Sequence, residues 1–291
     1  MQDERDNGAA RWTVVIPYFN EEAFLPATLA CLSAQRYRPF RLVLVDNGST
    51  DAGPACAARW AAKQLGIETI LLSEETPGQV HALARGIAAA DTEFLAIADA
   101  DTYYPPDWLA NATRLLDTAP ARTIGFIGHD IRTRPYSLRA RLKRRFYSHV
   151  APLIMPHQAH GGGYAHLFRT EPFKASGGYS PGYWPYVLKD HELVHRLFKQ
   201  GHVAMHPSLW VQPSDRRADR RAVRWTLIER LLYHATPPGL KDWFWYGFMA
   251  RRFQARGQRD TVLRQRGWGT DKARTRAYYM QDSPGSPLSQ G

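Results

Sequence analysis

The chain has 291 residues, 44% of them hydrophobic and 12% aromatic, enough to bury a sizeable core in one large domain or two coupled halves, so a disordered protein is excluded. Cys31 and Cys56 are the only cysteines, which rules out a disulfide framework or a four-cysteine zinc site and favours a reducing compartment. The net charge of +11 is unevenly spread: residues 1–120 carry 9 Lys and Arg against 16 Asp and Glu (net −7), residues 121–212 carry 13 against 4 (+9), and residues 213–291 carry 16 against 7 (+9). A basic surface for anionic lipid, phosphate or nucleic acid, joined to a less basic half, is one reading, and solvated charge on helices is the other.

The opening MQDERDNGAA is acidic and has no apolar run, so residues 1–10 are expected to be a disordered N-terminus, neither signal peptide nor anchor. No stretch approaches the roughly 20 consecutive apolar residues of a spanning helix, and a soluble or peripheral protein is expected. Short β-rich runs then recur at Thr13 to Ile16, Leu42 to Val45, Ile67 to Leu72, Phe94 to Ala98 and Ile124 to Ile127, with helix-like stretches between most of them. That alternation predicts an α/β fold with a largely parallel sheet. Asn20 to Gln35 reads as a helix, with Asn20 as cap, Glu21 and Glu22 in the first turn, and Leu25, Leu29 and Leu32 on one face.

Ligands of open α/β sheets bind outside the carboxyl ends of the strands. Polar residues collect there: Tyr18 and Asn20 after the first run, Asp46 and Asn47 after the second, Asp99 and Asp101 after the fourth. YFNEE stands where a dinucleotide site needs GxGxxG and a P-loop needs GxxxxGK[ST], which disfavours hydride transfer and P-loop chemistry. Asp99-Ala100-Asp101 offers two carboxylates to a hard divalent cation and a ribose or diphosphate, although such a pair also serves as solvated turn or cap residues. Pro105 and Pro106 stiffen the loop behind it.

TVVIPYFNEE (13 to 22), LVLVDNGSTD (42 to 51), PGQVHALARGIAAA (77 to 90) and FLAIADADTYYPPDWL (94 to 109) resemble, in order and spacing, the motifs of family 2 glycosyltransferases with the GT-A fold. The resemblance continues through residues 161 to 205 and covers roughly residues 12 to 212. It implies an inverting transferase that takes a sugar from a nucleotide diphosphate donor. Pro17, Tyr18, Asn20, Asp46, Asn47 and Gly78 would then belong to the donor site, Asp46 accepting a hydrogen bond from the base. Asp99 would contact ribose or metal, Asp101 would bind the Mg²⁺ or Mn²⁺ bridging the diphosphate, and Asp190 would be the catalytic base. Three positions depart from the family pattern: Lys189 precedes Asp190 where Glu is usual, Ala84 replaces an Asn, and Gln79 stands where Lys is frequent.

Residues 191 to 195 also match HExxH, the zinc pattern of His191, Glu192 and His195. A metzincin would need glycine where Phe198 stands, and Asp215 is the only acidic residue placed to complete a thermolysin-like set. His157, His160 and His166 flank Gly161 to Gly163, whose permissive backbone suits an acceptor loop, and His206 follows a predicted strand.

Two basic stretches have helical spacing: Leu138, Leu142 and Phe146 among Arg139, Arg141, Lys143, Arg144 and Arg145, then Val223, Leu227 and Leu231 among Arg220, Arg221, Arg224 and Arg230. Trp243-Phe244-Trp245-Tyr246, with Phe248, Met249, Arg251, Arg252, Phe253 and Arg256, matches a helix in a lipid headgroup region, and equally a helix packed on the core. Arg221-Ala222-Val223-Arg224-Trp225 lacks the Gln of QxxRW, so processive synthesis is not expected. The expected organisation is a disordered 1–10, a nucleotide-sugar half 11–128, an acceptor half 129–212, a basic amphipathic extension 213–280, and a disordered tail 281–291. The expected partners are a nucleotide sugar, a lipid or saccharide acceptor and an anionic membrane at its cytoplasmic face, without nucleic acid. A non-catalytic or nucleic-acid-binding protein on the same fold is the alternative, and an HExxH zinc hydrolase a further one.

Overall fold

The computed structural model describes residues 8–64, 66–130, 163–214 and 225–264. In chain order the core elements are β1 (Trp12–Tyr18), α1 (Leu25–Ser33), β2 (Arg41–Asp46), α2 (Gly53–Ala61), β3 (Glu68–Ser73), α3 (Gln79–Ala88), β4 (Phe94–Ala98), β5 (Thr102–Tyr103), α4 (Trp108–Thr118), β6 (Thr123–Asp130), β7 (Ala165–Arg169), α5 (Thr170–Ala175), α6 (Lys189–Gln200) and β8 (His202–Pro213). One eight-stranded sheet runs β3-β2-β1-β4-β7-β6-β8-β5. The four strands β3-β2-β1-β4 are mutually parallel, as the alternation implies, and β6 pairs parallel with β8. Between them β7 is antiparallel to both neighbours, and β5 is antiparallel to β8.

β1 is buried along its whole length, as a strand covered on both faces must be. Its side chains alternate: Val14 and Ile16 pack with Leu25 and Leu29 of α1 and with Trp108 of α4, whereas Val15 joins Val80 and Leu83 of α3. Gly86 lets α3 approach the sheet; a Cβ there would lie 2.5 Å from Val15 Cγ1 and 2.9 Å from Val45 Cγ2.

The first helix differs from expectation. It starts at Leu25, with Pro26 in its first turn and no side-chain cap. Asn20 lies outside it in a left-handed conformation, φ 54°, and its Oδ1 accepts the Thr50 N–H at 2.8 Å. Glu22 is likewise turned sideways, its N–H donating to Asp51 Oδ2 at 2.8 Å and its carboxylate accepting from Ala52 N at 3.1 Å. The polar residues that read as a helix start therefore tie the loop after β1 to the loop after β2.

Beyond β8, α7 (Leu227–Ala235) opens with a Thr226/Glu229 capping box, followed by a π-helical stretch Trp243–Met249 and α8 (Ala250–Ala255). The aromatic run is divided. Phe244, Trp245, Met249 and Phe253 are fully buried against Trp184, Val187 and Tyr233, so this half packs on the body of the protein. Trp243 stays outside, as do Leu227, Ile228 and Leu231 of α7. The expected helix with Leu138, Leu142 and Phe146, and Val223 with its neighbouring arginines, lie outside the described residues.

Candidate active site

The carboxyl ends of β1, β2 and β4 bring most of the expected donor residues to one edge of the sheet. Pro17 and Tyr18 are the last residues of β1, in register with Val45 and Asp46 of β2. Tyr18 is buried, and burial together with Asp46 and Asp51 drives its phenol well above the ordinary range, so it stays a neutral donor. Asp46 is half-buried and its Oδ1 accepts the Ser49 N–H at 3.1 Å. Asn47 is turned inward: its amide donates to Glu74 O (2.9 Å) and Thr76 O (2.8 Å), and its Oδ1 accepts from Gly78 N (2.9 Å). It braces the loop before α3. Gly78, at φ 136°, supplies a backbone turn that side-chain residues rarely adopt. Asn20 is exposed at the rim.

The turn after β4 is tightly built. The Asp99 N–H donates to the Tyr104 hydroxyl at 2.7 Å, and that hydroxyl donates to Tyr164 O at 2.8 Å. Gln79, where the family often has Lys, donates to Asp99 Oδ1 at 3.3 Å. Asp101 is 3% exposed; its Oδ2 accepts the Ser214 hydroxyl at 2.8 Å and its carbonyl accepts Ser214 N at 2.9 Å. The β5–β8 pairing, Thr102 opposite Pro213, holds Ser214 there.

Asp190 lies in the first turn of α6, where the helix dipole favours a carboxylate. The Tyr179 hydroxyl donates to its Oδ1 at 2.6 Å and Gly163 N donates to its Oδ2 at 3.2 Å. Burial opposes its ionisation, but His166, Lys189 and the Tyr179 hydroxyl more than offset that, holding the carboxyl below its ordinary range. His166 is itself pushed toward the neutral form by burial, so near pH 7 the Lys189 charge and the Tyr179 hydrogen bond are the partners that count. Asp99 lies within electrostatic reach of both Tyr179 and Lys189, which joins the β4 turn to the start of α6. Lys189 is not solvent-facing. Burial lowers its pKa, yet Asp260, 2.5 Å away, and Asp190 raise it further, so it stays charged.

Residues 13–177, more than half of the chain, match the model of the family described as Glycosyl transferase family 2. The chain belongs to that family. Within curated relatives, it is 40% identical over 89 residues to an uncharacterized glycosyltransferase of Mycobacterium bovis, covering 31% of this chain and 36% of the relative. It is 30% identical over 107 residues to the amylovoran biosynthesis glycosyltransferase AmsB of Erwinia amylovora, 36% of each chain. The chain thus matches little more than a third of the length of these curated relatives. Among solved structures, the mannosyltransferase PcManGT from Pyrobaculum calidifontis, in complex with GDP-Man and Mn²⁺, superposes with a TM-score of 0.61 at 21% identity, covering 92% of this chain and 69% of that one. That likeness shows the GT-A fold.

In this family 2 chain the HExxH residues are spent elsewhere. Glu192 is buried, accepts Arg196 Nε at 2.7 Å and Nη2 at 3.0 Å, and takes the Tyr246 hydroxyl at 2.5 Å. His191 meets the edges of Trp225 and Tyr233, and His195 Nε2 lies 2.8 Å from Asp242 Oδ1. Among the described residues no three His, Cys, Asp or Glu side chains converge as a metal site; Asp215, His157 and His160 lie outside them. His206 is exposed on β8 and its Nδ1 lies 2.8 Å from Ser208 Oγ.

Sequence reasoning did not single out Tyr179, Tyr104, Ser214, Asp260 or Arg264 in this family 2 site. Asp260 Oδ2 accepts the Val80 N–H at 2.8 Å across 180 residues of chain, and Arg264 bonds Asn47 across 217. No local spacing carries such a signal.

Proposed function

We propose that this chain is an inverting glycosyltransferase that moves a sugar from a nucleotide diphosphate donor to a hydroxyl acceptor, with Asp190 as general base. The observation that carries the reading is the Asp190 carboxylate in the first turn of α6, which accepts the Tyr179 hydroxyl at 2.6 Å. It is held below its ordinary range by neighbours that include Lys189 and Tyr179, both of them within electrostatic reach of Asp99. Its site residues are Asp190 for catalysis; Pro17, Tyr18, Asn20, Asp46, Asn47, Gly78 and Asp99 for the donor; and Asp99 with Asp101 for metal. An ionised carboxylate takes the acceptor O–H proton as the oxygen bonds to the anomeric carbon, while the bond from that carbon to the diphosphate oxygen breaks with its electron pair going to the nucleoside diphosphate. One displacement inverts the anomeric centre and leaves no covalent sugar on the protein.

Asp99 and Asp101 suit Mg²⁺ or Mn²⁺ by their chemistry. Both are hard oxygen donors two residues apart on a turn fixed by Tyr104 and Ser214. A two-carboxylate set leaves coordination positions for diphosphate oxygens and water, which such cations retain. When bound, the cation would offset the charge that grows on the departing diphosphate.

The acceptor is proposed to be a lipid or lipid-linked saccharide, reached from the cytoplasmic face of a membrane. The support is an apolar exposure on the extension: Leu227 at 74%, Ile228 and Leu231 at 60% and Trp243 at 54%, in a region whose Lys and Arg outnumber its Asp and Glu 16 to 7. Among the described residues no helix is long and apolar enough to cross a membrane. The proposed division is a donor half to residue 128, an acceptor half to 212 and this extension beyond. The test is transfer from a panel of sugar nucleotides to lipid-linked acceptors, read by product anomer. Inverted product, lost in Asp190→Asn, supports the reading; product of retained configuration would contradict it.

A further inference from the structure

Residues 258–264, beyond the family-matched region, reach back over the donor edge. Arg259 bridges Tyr186, Val187 N donates to Gln258 O at 3.1 Å, and Asp260 N donates to Pro185 O at 3.0 Å, so the segment runs alongside the lead into α6. Asp260 then anchors it between two elements, accepting Lys189 Nζ at 2.5 Å and the Val80 N–H of α3 at 2.8 Å. Four residues on, Arg264 lies across the loops after β1 and β2. Its guanidinium is stacked 3.7 Å from the Phe19 ring centroid, Nη1 donates to Asn47 Oδ1 at 2.6 Å and Nη2 to Asn47 O at 2.9 Å.

Those two acceptors are neutral oxygens and spend two of the five guanidinium N–H groups. Among the described residues it forms no salt bridge, and the Asp46 and Asp260 carboxylates act on it through space. A planar cation with donors to spare therefore sits beside Asp46, at the edge that the proposed function gives to the nucleoside. We infer that Arg264 is a donor-binding residue that contacts the nucleoside end of the nucleoside diphosphate, held in place by the Asp260 anchor. The inference rests on the donor-site reading above. It makes the C-terminal segment part of the donor pocket and gives the extension a direct hold on donor affinity.

The test uses the full chain and the nucleoside diphosphate, with Mg²⁺ or Mn²⁺, that most stabilises the wild type. Arg264→Ala is expected to raise the donor KM and the inhibition constant of that nucleoside diphosphate by the same factor, roughly tenfold or more, with kcat within about twofold. Equal factors mean that the contact is to the nucleoside diphosphate and not to the sugar. Arg264→Gln, which keeps a donor for Asn47 and removes the charge, carries the test if the alanine variant does not fold. Unchanged KM with a lowered melting temperature in the ligand-free protein would overturn the inference and leave the segment as packing alone. A wild type stabilised by no nucleotide would overturn the donor-site reading along with it, an outcome distinct from a binding wild type and an unaffected variant.

Discussion

The Tyr179 hydroxyl donates to Asp190 Oδ1 at 2.6 Å while its oxygen lies 3.1 Å from His166 Nδ1. Because that hydroxyl is committed to the carboxylate, His166 must present Nδ1–H to the tyrosine oxygen, which leaves a buried chain in which two groups, His166 and Tyr179, lead to the proposed base. Tyr179 is itself driven far up by burial and by Asp190, so it never competes for the negative charge.

Tyr179→Phe removes one of the neighbours that hold the Asp190 carboxyl below its ordinary range. The sign follows from that direction: the acid limb of the kcat/KM profile reports Asp190 ionisation and moves to higher pH in the variant. A depressed carboxyl contributes stability at pH above its unfolded value and loses it as pH falls through the folded one, so the variant also begins to lose stability at higher pH. Transfer rates and denaturant midpoints across pH 3 to 8, as an approximate range, check both.

Lys189 and Asp260 form a buried ion pair at 2.5 Å. Asp260→Ala leaves the ammonium unpaired and also frees the Val80 N–H, and is expected to lose about 3–5 kcal/mol of unfolding free energy. Replacing Lys189 by Met in the same chain should return part of that loss, because the uncompensated charge is gone. Denaturant titration of the two single variants and the double variant measures it.

Gly86→Ala tests the close approach of α3 to the sheet. A methyl group there meets Val15 and Val45 at 2.5 and 2.9 Å. The helix-propensity gain of about 1 kcal/mol is outweighed by overpacking of about 1–3 kcal/mol against β-branched side chains, so the variant should melt at lower temperature.

The exposed apolar side chains of α7 and its neighbour give a separable prediction. Leu227→Asp combined with Leu231→Asp, or Trp243→Asp alone, should weaken sedimentation with anionic phospholipid vesicles by roughly tenfold or more. Donor hydrolysis in solution should be unchanged, since none of these residues touches the strand ends.

How much of this was legible in the sequence follows from the range of the interactions. Strands β1 to β4 and β6 announce themselves because each is a short apolar run between polar turns, and Asp46, Asp99 and Asp101 because they terminate such runs. The start of α1 differs from its sequence reading because the partners of Asn20 and Glu22 lie about thirty residues away on the next loop. Asn47 reads as a donor-site residue from its place after β2, whereas its side-chain bonds to Glu74, Thr76, Gly78 and Arg264, which brace that edge, come from residues too far along the chain to be read locally. In the Trp243–Tyr246 run, aromatic character alone does not say which rings turn inward; the π-helical winding places Phe244 and Trp245 in the core. Arg264 has no local signal at all, because what gives it meaning is a loop at the other end of the chain.

The central claim is that the turn at Asp99 and Asp101 binds a metal-assisted nucleotide diphosphate. The most direct measurement is the melting temperature against nucleoside diphosphates and sugar nucleotides, with and without Mn²⁺ or Mg²⁺, in the wild type and in Asp101→Ala. A ligand bound only by the folded state stabilises it in proportion to RT ln(1 + [L]/Kd), so one nucleotide should raise the melting temperature in a metal-dependent way, and that rise should vanish in the variant. No shift with any nucleotide, together with a Zn²⁺ shift abolished by His191→Ala, would contradict the account.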